Sequence, residues 1–496
     1  MEHPEAAQVA ALVGALGAIL ALLARDRYSP LVGLGLLGLG SLGLLRSLVA
    51  DEDLRLLVRE PTGLVLIATG VAAVVLASAP LARFPAAVPI VLLAAAPFRV
   101  PVELGSERAF LLLPLYVALA ASVLALGYRV LRGARPPNPP LLLAAPVAAF
   151  VALAAVSFLW TWDEREGGIA LAFFLFPFTA GLATVARAPL APWLPRGLLL
   201  TLAALGTLFA AIGIWQAHTR TVFFARDVEV ANAYTAFFRV TSLFKDPSLY
   251  GRYLVVPIVV VLVVILLRRG RTIEWLALTA LIVLLFWGLF YSYSQSSFVA
   301  LFAATFAIAL VGGSRPIRLA LVATALVATV AAAAFAAQAI EGRSAREVTS
   351  GRSRLVQVTL EAFAARPFLG VGIGGQPRAS TELSGRGSPA RNASHTTPLT
   401  VLATLGLLGF ALYVWLLAAA ARALWLVERR DRLLGLGLAA VLGTLVVHSF
   451  LYAGFFEDPL TWGVFALAAA ALAASPTPPR EERLSTPERA PEPLAH

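Results

Sequence analysis

About fifteen apolar runs, most of them long enough to cross a membrane, follow one another along this chain, and they decide what it can fold into. Crossing the hydrocarbon core of a bilayer takes roughly 20 apolar residues in a helix. The runs fall near 7–24, 30–49, 61–80, 84–98, 109–131, 138–160, 168–186, 195–217, 248–267, 273–291, 297–313, 316–339, 397–421, 433–453 and 459–475. They are filled by leucine, alanine, valine and glycine without alternation, which argues against a membrane β-barrel. The expected fold class is all-α, a polytopic helical membrane protein. The run at 84–98 is short enough to be re-entrant.

Loop charge orients the helices. With the N-terminus outside and the C-terminus inside, the inner segments collect Arg25, Arg27, Arg129, Arg132, Arg135, Arg268, Arg269, Arg271, Arg315, Arg318, Arg429, Arg430 and Arg432. The acidic stretches at 51–53 and 163–166 then fall outside. Two long outer segments, 219–247 and 340–396, break the bias; the second carries eight arginines against four glutamates. Cations on the outer face suit an anionic ligand. The net charge of +11 suits membrane lipids, though topology alone also produces it. Cysteine is absent, which excludes disulfides and thiolate chemistry. The proline-rich tail, 476–496, reads as a disordered cytoplasmic segment.

Few residues offer chemistry. His395 stands at the end of the arginine-rich loop, just before an apolar run. A neutral imidazole there can accept a proton from a sugar hydroxyl; an interfacial or helix-capping histidine has the same address. His218 and His448 read as helix-packing groups. Arg239 lies at the outer end of a span, where a guanidinium can hold a diphosphate through parallel hydrogen bonds; a headgroup anchor fits there too. Asp246-Pro247-Ser248 sets a turn or helix start. Arg252, inside the first turns of the next span, calls for a partner such as Asp246 or a phosphate, or for snorkelling. Arg352 and Arg354 open a helical pattern over 353–365 that Pro367 ends. The string GVGIGG, 370–375, follows a helix and a proline instead of a strand, so it reads as a tight turn and not a nucleotide loop. Asp458 suits a helix cap, and Glu457 is a carboxylate able to orient His395 or a sugar. No metal-ligand spacing is present, so neither metal nor cofactor is expected.

Together these strings resemble the O-antigen ligase and O-antigen polymerase superfamily of bacterial envelope glycosyltransferases. Three blocks carry the resemblance: Arg239 with Asp246-Pro247-Ser248, Gly351-Arg352 with Pro367 and Gly370-Val371-Gly372, and His395-Thr396-Thr397-Pro398-Leu399. The string PFRVP, 97–101, is also similar. The sequence departs from the family at Gln295, where an arginine is usual, at Val356 and at Ser248.

The resemblance covers 84–475. It implies a core of about twelve GT-C-like spans with a large periplasmic loop, with residues 1–83 as additional N-terminal helices. It implies an inverting, metal-independent transferase in the bacterial inner membrane, working on the periplasmic face. The donor would be a glycan on undecaprenyl pyrophosphate and the acceptor a lipid or glycan hydroxyl; no nucleic acid is involved. In that scheme Arg239 and Arg352 hold the pyrophosphate and His395 deprotonates or orients the acceptor. Arg354, Arg252, Asp246 and Glu457 are secondary candidates. Ligase chemistry is the first expectation and polymerase chemistry the alternative. Outside the enzyme class, a flippase of lipid-linked sugars or a membrane scaffold is the rival.

Overall fold

The computed structural model describes residues 3–49, 61–104, 107–234, 237–267, 270–312, 352–385 and 387–474. The side chain of Arg352, the run at 316–339, the stretch 51–53 and the tail lie outside them.

Within those residues the chain forms α1 (Pro4–Leu23), α2 (Ser29–Leu48), α3 (Pro61–Arg83), α4 (Val88–Ala95), the hairpin β1 (Val100–Leu104) and β2 (Glu107–Leu111), then α5 (Leu113–Leu131) and α6 (Leu141–Val156). Next come α7 (Glu164–Ile169), α8 (Phe176–Val185), α9 (Leu194–Thr219), α10 (Arg226–Asn232), α11 (Pro247–Leu267), α12 (Thr272–Phe290) and α13 (Gln295–Gly312). From residue 352 onward follow α14 (Arg352–Ala365), α15 (Gln376–Ser384), α16 (Pro389–Asn392), α17 (Thr397–Arg430), α18 (Arg432–Ser449) and α19 (Pro459–Ala473). Among the described residues twelve helical stretches are long and apolar enough to cross a membrane. The segments 85–95 and 459–473 are shorter apolar helices. The protein is an all-α, multi-pass membrane protein, as its hydropathy demands.

One core runs through the bundle and takes in α1 and α2, whose small residues allow close approach. Gly14 faces the Phe176 ring so closely that a Cβ there would lie 2.2 Å from it. Many large aliphatic side chains stay exposed, among them Leu66 on α3 and Ile273 on α12. They face the bilayer, whose tails are as apolar as they are.

Two boundaries differ from the sequence reading. The run expected at 109–131 starts later, because residues 107–111 pair antiparallel with 100–104, Val100 opposite Leu111. Valines and phenylalanine at alternate positions favour that strand pairing. The run at 397–421 opens a 34-residue helix that is broken inside: Gly406 has φ 65° and ψ −164°. At 1.5 Å per residue, 34 residues extend about 51 Å, well beyond the ~30 Å hydrocarbon core. The break divides α17 into a nine-residue outer piece and a long spanning piece.

The break is clipped by the glycine loop. Residues 403 and 404 lose their helical carbonyl partners at Gly406; Val371 and Gly372 donate N–H to them at 3.0 and 2.8 Å. Leu407 and Leu408 donate in turn to Pro367 and Phe368 carbonyls at 2.8 and 3.2 Å. Only glycine fits at Gly370, where φ is +69° and a Cβ would sit 2.3 Å from the Thr404 carbonyl carbon. GVGIGG is therefore a tight turn, and its glycines admit neighbouring backbone.

Candidate functional site

All the sequence-derived site residues fall at one end of the bundle. This end holds the hairpin, the α6–α7 turn, the segment 219–247, the α12–α13 turn, residues 352–396 and the α18–α19 turn. The link between them is visible in single bonds. Phe110 of the hairpin meets Phe224, and Lys245 lies over the Phe110 ring. Thr161 of the α6–α7 turn donates to the Ile373 carbonyl at 2.7 Å.

Arg239 is set by its flanks. Asn232, at the end of α10, accepts from the Arg239 N–H and donates to its carbonyl, both at 2.9 Å. The guanidinium Nε donates to the Ser292 carbonyl at 3.3 Å, tying Arg239 to the α12–α13 turn. Beyond it, Gln216 of α9 clamps the next turn. Its amide oxygen accepts from the Thr241 and Ser242 N–H groups and its nitrogen donates to the Ser242 carbonyl. That clamp holds Ser242 at φ +52°, a conformation costly for a residue with a Cβ. Asp246 starts α11 as the sequence suggests, accepting from the Ser248 N–H at 2.6 Å.

Arg252 is not paired with Asp246. It is 1% exposed and forms an ion pair with Asp458, which also caps α19 by accepting from the Leu460 N–H at 2.9 Å. Its other terminal nitrogen meets His448 Nδ1 at 3.0 Å. His448 Nε2 faces the Ser296 and Ser297 hydroxyls at 3.2 and 3.3 Å. Asp246 as partner and snorkelling for Arg252 are thus corrected, and His448 packs between helices through hydrogen bonds. A cation and an imidazole buried in apolar helices need partners, because removing them from water costs several kcal/mol per ion. The serine string 292–297, where Gln295 departs from the family pattern, supplies part of that network. The signal was present in the sequence: Arg252 and His448 are among its few deep ionisable residues.

Arg354 and His395 belong to a separate polar module outside the bundle. Arg354 Nη2 donates to Asn392 Oδ1 at 3.2 Å, three residues before His395. Gln376 is the buried hub. Its Nε2 donates to Ser380 Oγ at 2.8 Å and to the Asn392 carbonyl at 3.0 Å, and its Oε1 accepts from the Ser394 N–H at 3.0 Å. Val358 and Ala362 turn inward from α14, as the helical pattern predicted. Arg352 begins that helix. His395 itself is exposed, between buried Ser394 and the start of α17. The cap of α17 is Thr396, whose Oγ1 accepts from the Leu399 N–H. The capping role open to His395 in the sequence is thus filled by its neighbour. Arg239 and the Arg354–His395 module stand in separate groups of contacts at the same end of the bundle.

The α18–α19 turn at this end carries perturbed charge. Glu457 reaches solvent, yet the protein packed around it raises its carboxyl above the ordinary range; Arg252 opposes the shift and Asp458 adds to it. Burial likewise raises the Tyr452 phenol; Asp246 and Glu457 add to the shift while Arg252 and Arg99 oppose it. Arg99, in the PFRVP string, is therefore near enough to act on this group. Among the described residues no three His, Asp or Glu side chains converge as metal ligands would.

An apolar groove of about 190 Å³ runs along the bundle. Leu92, Leu119, Leu202, Val260, Val441 and Leu467 line it. Ala96 and Leu460 stand at the end nearer Arg252, and Arg196 and Leu433 at the other.

No curated protein matches this chain. A family model described as O-Antigen ligase matches residues 280–414. The matched stretch holds the serine turn, Arg352, Arg354, the glycine clip and His395; Arg239, Arg252, His448 and Asp458 lie outside it. In this segment the chain, a multi-pass membrane protein, is similar to the O-antigen ligase family.

Proposed function

We propose that the protein transfers a glycan from undecaprenyl pyrophosphate to an acceptor hydroxyl, as a ligase of the bacterial inner membrane working on the periplasmic side. The observation that carries this reading is His395, exposed on an arginine-bearing module within the family-matched segment, at the same end of the bundle as Arg239. The apolar groove supports a lipid-linked donor, since a polyprenyl chain needs an apolar seat of this kind.

In the proposed step the acceptor oxygen attacks the anomeric carbon from the side opposite the diphosphate. A carbon–oxygen bond forms, the bond to the diphosphate breaks, and the leaving group takes the electron pair. His395 takes the acceptor's proton. Arg239 and Arg352 offset the charge that grows on the diphosphate, with Arg354 holding the loop that carries His395. No nucleotide or divalent ion enters the scheme.

The test uses the full chain in lipid nanodiscs with a defined polyprenyl-pyrophosphate glycan. His395→Ala should lower turnover by about 10²–10⁴-fold, the usual worth of a general base. EDTA should leave the wild-type rate unchanged. Full transfer by a folded His395→Ala variant would remove the histidine from the reaction. Product that accumulates as a length ladder on the lipid carrier would replace ligase by polymerase chemistry.

A further inference from the structure

At the end of the bundle opposite Arg239 and Arg354, the ends of α3, α5 and α8 meet around Arg187. This arginine is only 3% exposed. Its Nη1 donates to the Ala183 carbonyl at 2.9 Å, while Nη2 is buried with no partner. Beside it is a gap of about 10 Å³, lined by Leu81, Pro85, Val88, Leu126, Thr184 and a second guanidinium, Arg129. The Ser122 and Thr184 hydroxyls at the gap already donate to Ala118 and Ala180 of their own helices. Among the described residues neither arginine has a carboxylate partner. Burial lowers the Arg187 guanidinium to about 10, and the charge of Arg25 pushes it the same way.

A buried guanidinium whose charged neighbours are also cations is costly, unless an anion completes the site. We infer that Arg187 and Arg129 bind the phosphate of an anionic membrane phospholipid. The gap admits one oxygen-sized atom, so a non-bridging phosphate oxygen enters it and the rest of the headgroup lies outside, beside half-buried Arg129. The apolar approach favours a lipid over free phosphate. Toward this end α3 exposes Val75 and Leu76, at 53% and 73%, and Phe84 follows it at 58%. Acyl chains lying along α3 bring a headgroup to the level of Arg187. Basic pockets between spanning helices are the usual seats of anionic headgroups. The inference is independent of the glycosyl-transfer reading, because it concerns the other end of the molecule.

The test is lipid retention by the purified full chain, followed by native mass spectrometry and thermal unfolding. Three probes are titrated: phosphatidylglycerol, phosphatidylethanolamine and inorganic phosphate. Phosphatidylglycerol should bind at least about tenfold tighter than the other two, and Arg187→Gln and Arg129→Gln should each weaken it about tenfold, the worth of one charge-assisted hydrogen bond. Arg432→Gln, an exposed arginine at the same end, should bind as wild type does. If Arg187→Gln does not fold, the half-buried Arg129→Gln variant decides. Equal binding of phosphatidylglycerol and phosphatidylethanolamine, or unchanged binding by a folded variant, would overturn the site. Protection by inorganic phosphate at the same concentration would overturn the lipid as its ligand.

Discussion

Arg252, Asp458 and His448 form a polar knot inside helices that are otherwise apolar. Removing one partner of a buried pair strands the other, so Asp458→Ala should lose about 3–5 kcal/mol in denaturant unfolding. Replacing both, Arg252→Met with Asp458→Leu, should recover most of that loss, and a double-mutant cycle reads the coupling directly. Glu457 gives a pH prediction of definite sign. Its carboxyl is raised in the folded protein, so the folded state holds more protons than the unfolded state above the ordinary value of 4.5. Stability therefore falls as pH rises from 4.5 through the raised value, and Glu457→Gln should flatten that part of the thermal profile. At this scale the sequence was only partly legible. It marked Arg252 and His448 as deep ionisable residues, but Asp458 is some two hundred residues from Arg252, and no local pattern joins them.

The glycine clip shows what helix patterning cannot reveal. Periodicity made α14 and the spanning piece of α17 legible, and Pro367 marked where the chain must turn. The break at Gly406 was hidden, because leucine-rich sequence continues on both sides and the missing bonds are made by residues 367–372, more than thirty positions earlier. The hairpin at 100–111 was hidden for a related reason: its apolar residues merge into the run that follows. If the clip holds the break, Gly370→Ala should cost about 1–3 kcal/mol from its forced φ and the clash with Thr404. It should also increase proteolysis within the module at 376–396. Gly385→Ala shares the left-handed backbone but has open space around it, so its cost should be smaller, about 1 kcal/mol. Denaturant unfolding and limited proteolysis of the two variants separate clash from backbone strain.

For the whole molecule, hydropathy carried most of the architecture. Every expected run within the described residues is a helix or begins with the short hairpin. The absence of cysteine makes the proposed orientation directly testable. In intact cells Arg226→Cys and Glu382→Cys should react with a membrane-impermeant maleimide, and Arg135→Cys and Arg432→Cys only after lysis. What hydropathy could not supply is the set of contacts made by Arg239 and by Arg354, because their partners come from distant segments.

The most direct measurement is the affinity of the purified protein for undecaprenyl pyrophosphate, with undecaprenyl phosphate as the comparison. The wild type should prefer the diphosphate, and Arg239→Gln and Arg352→Gln should each weaken its binding about tenfold or more while leaving the monophosphate less affected. Equal affinity for the two lipids, unchanged in both variants, would contradict a diphosphate seat at the outer arginines.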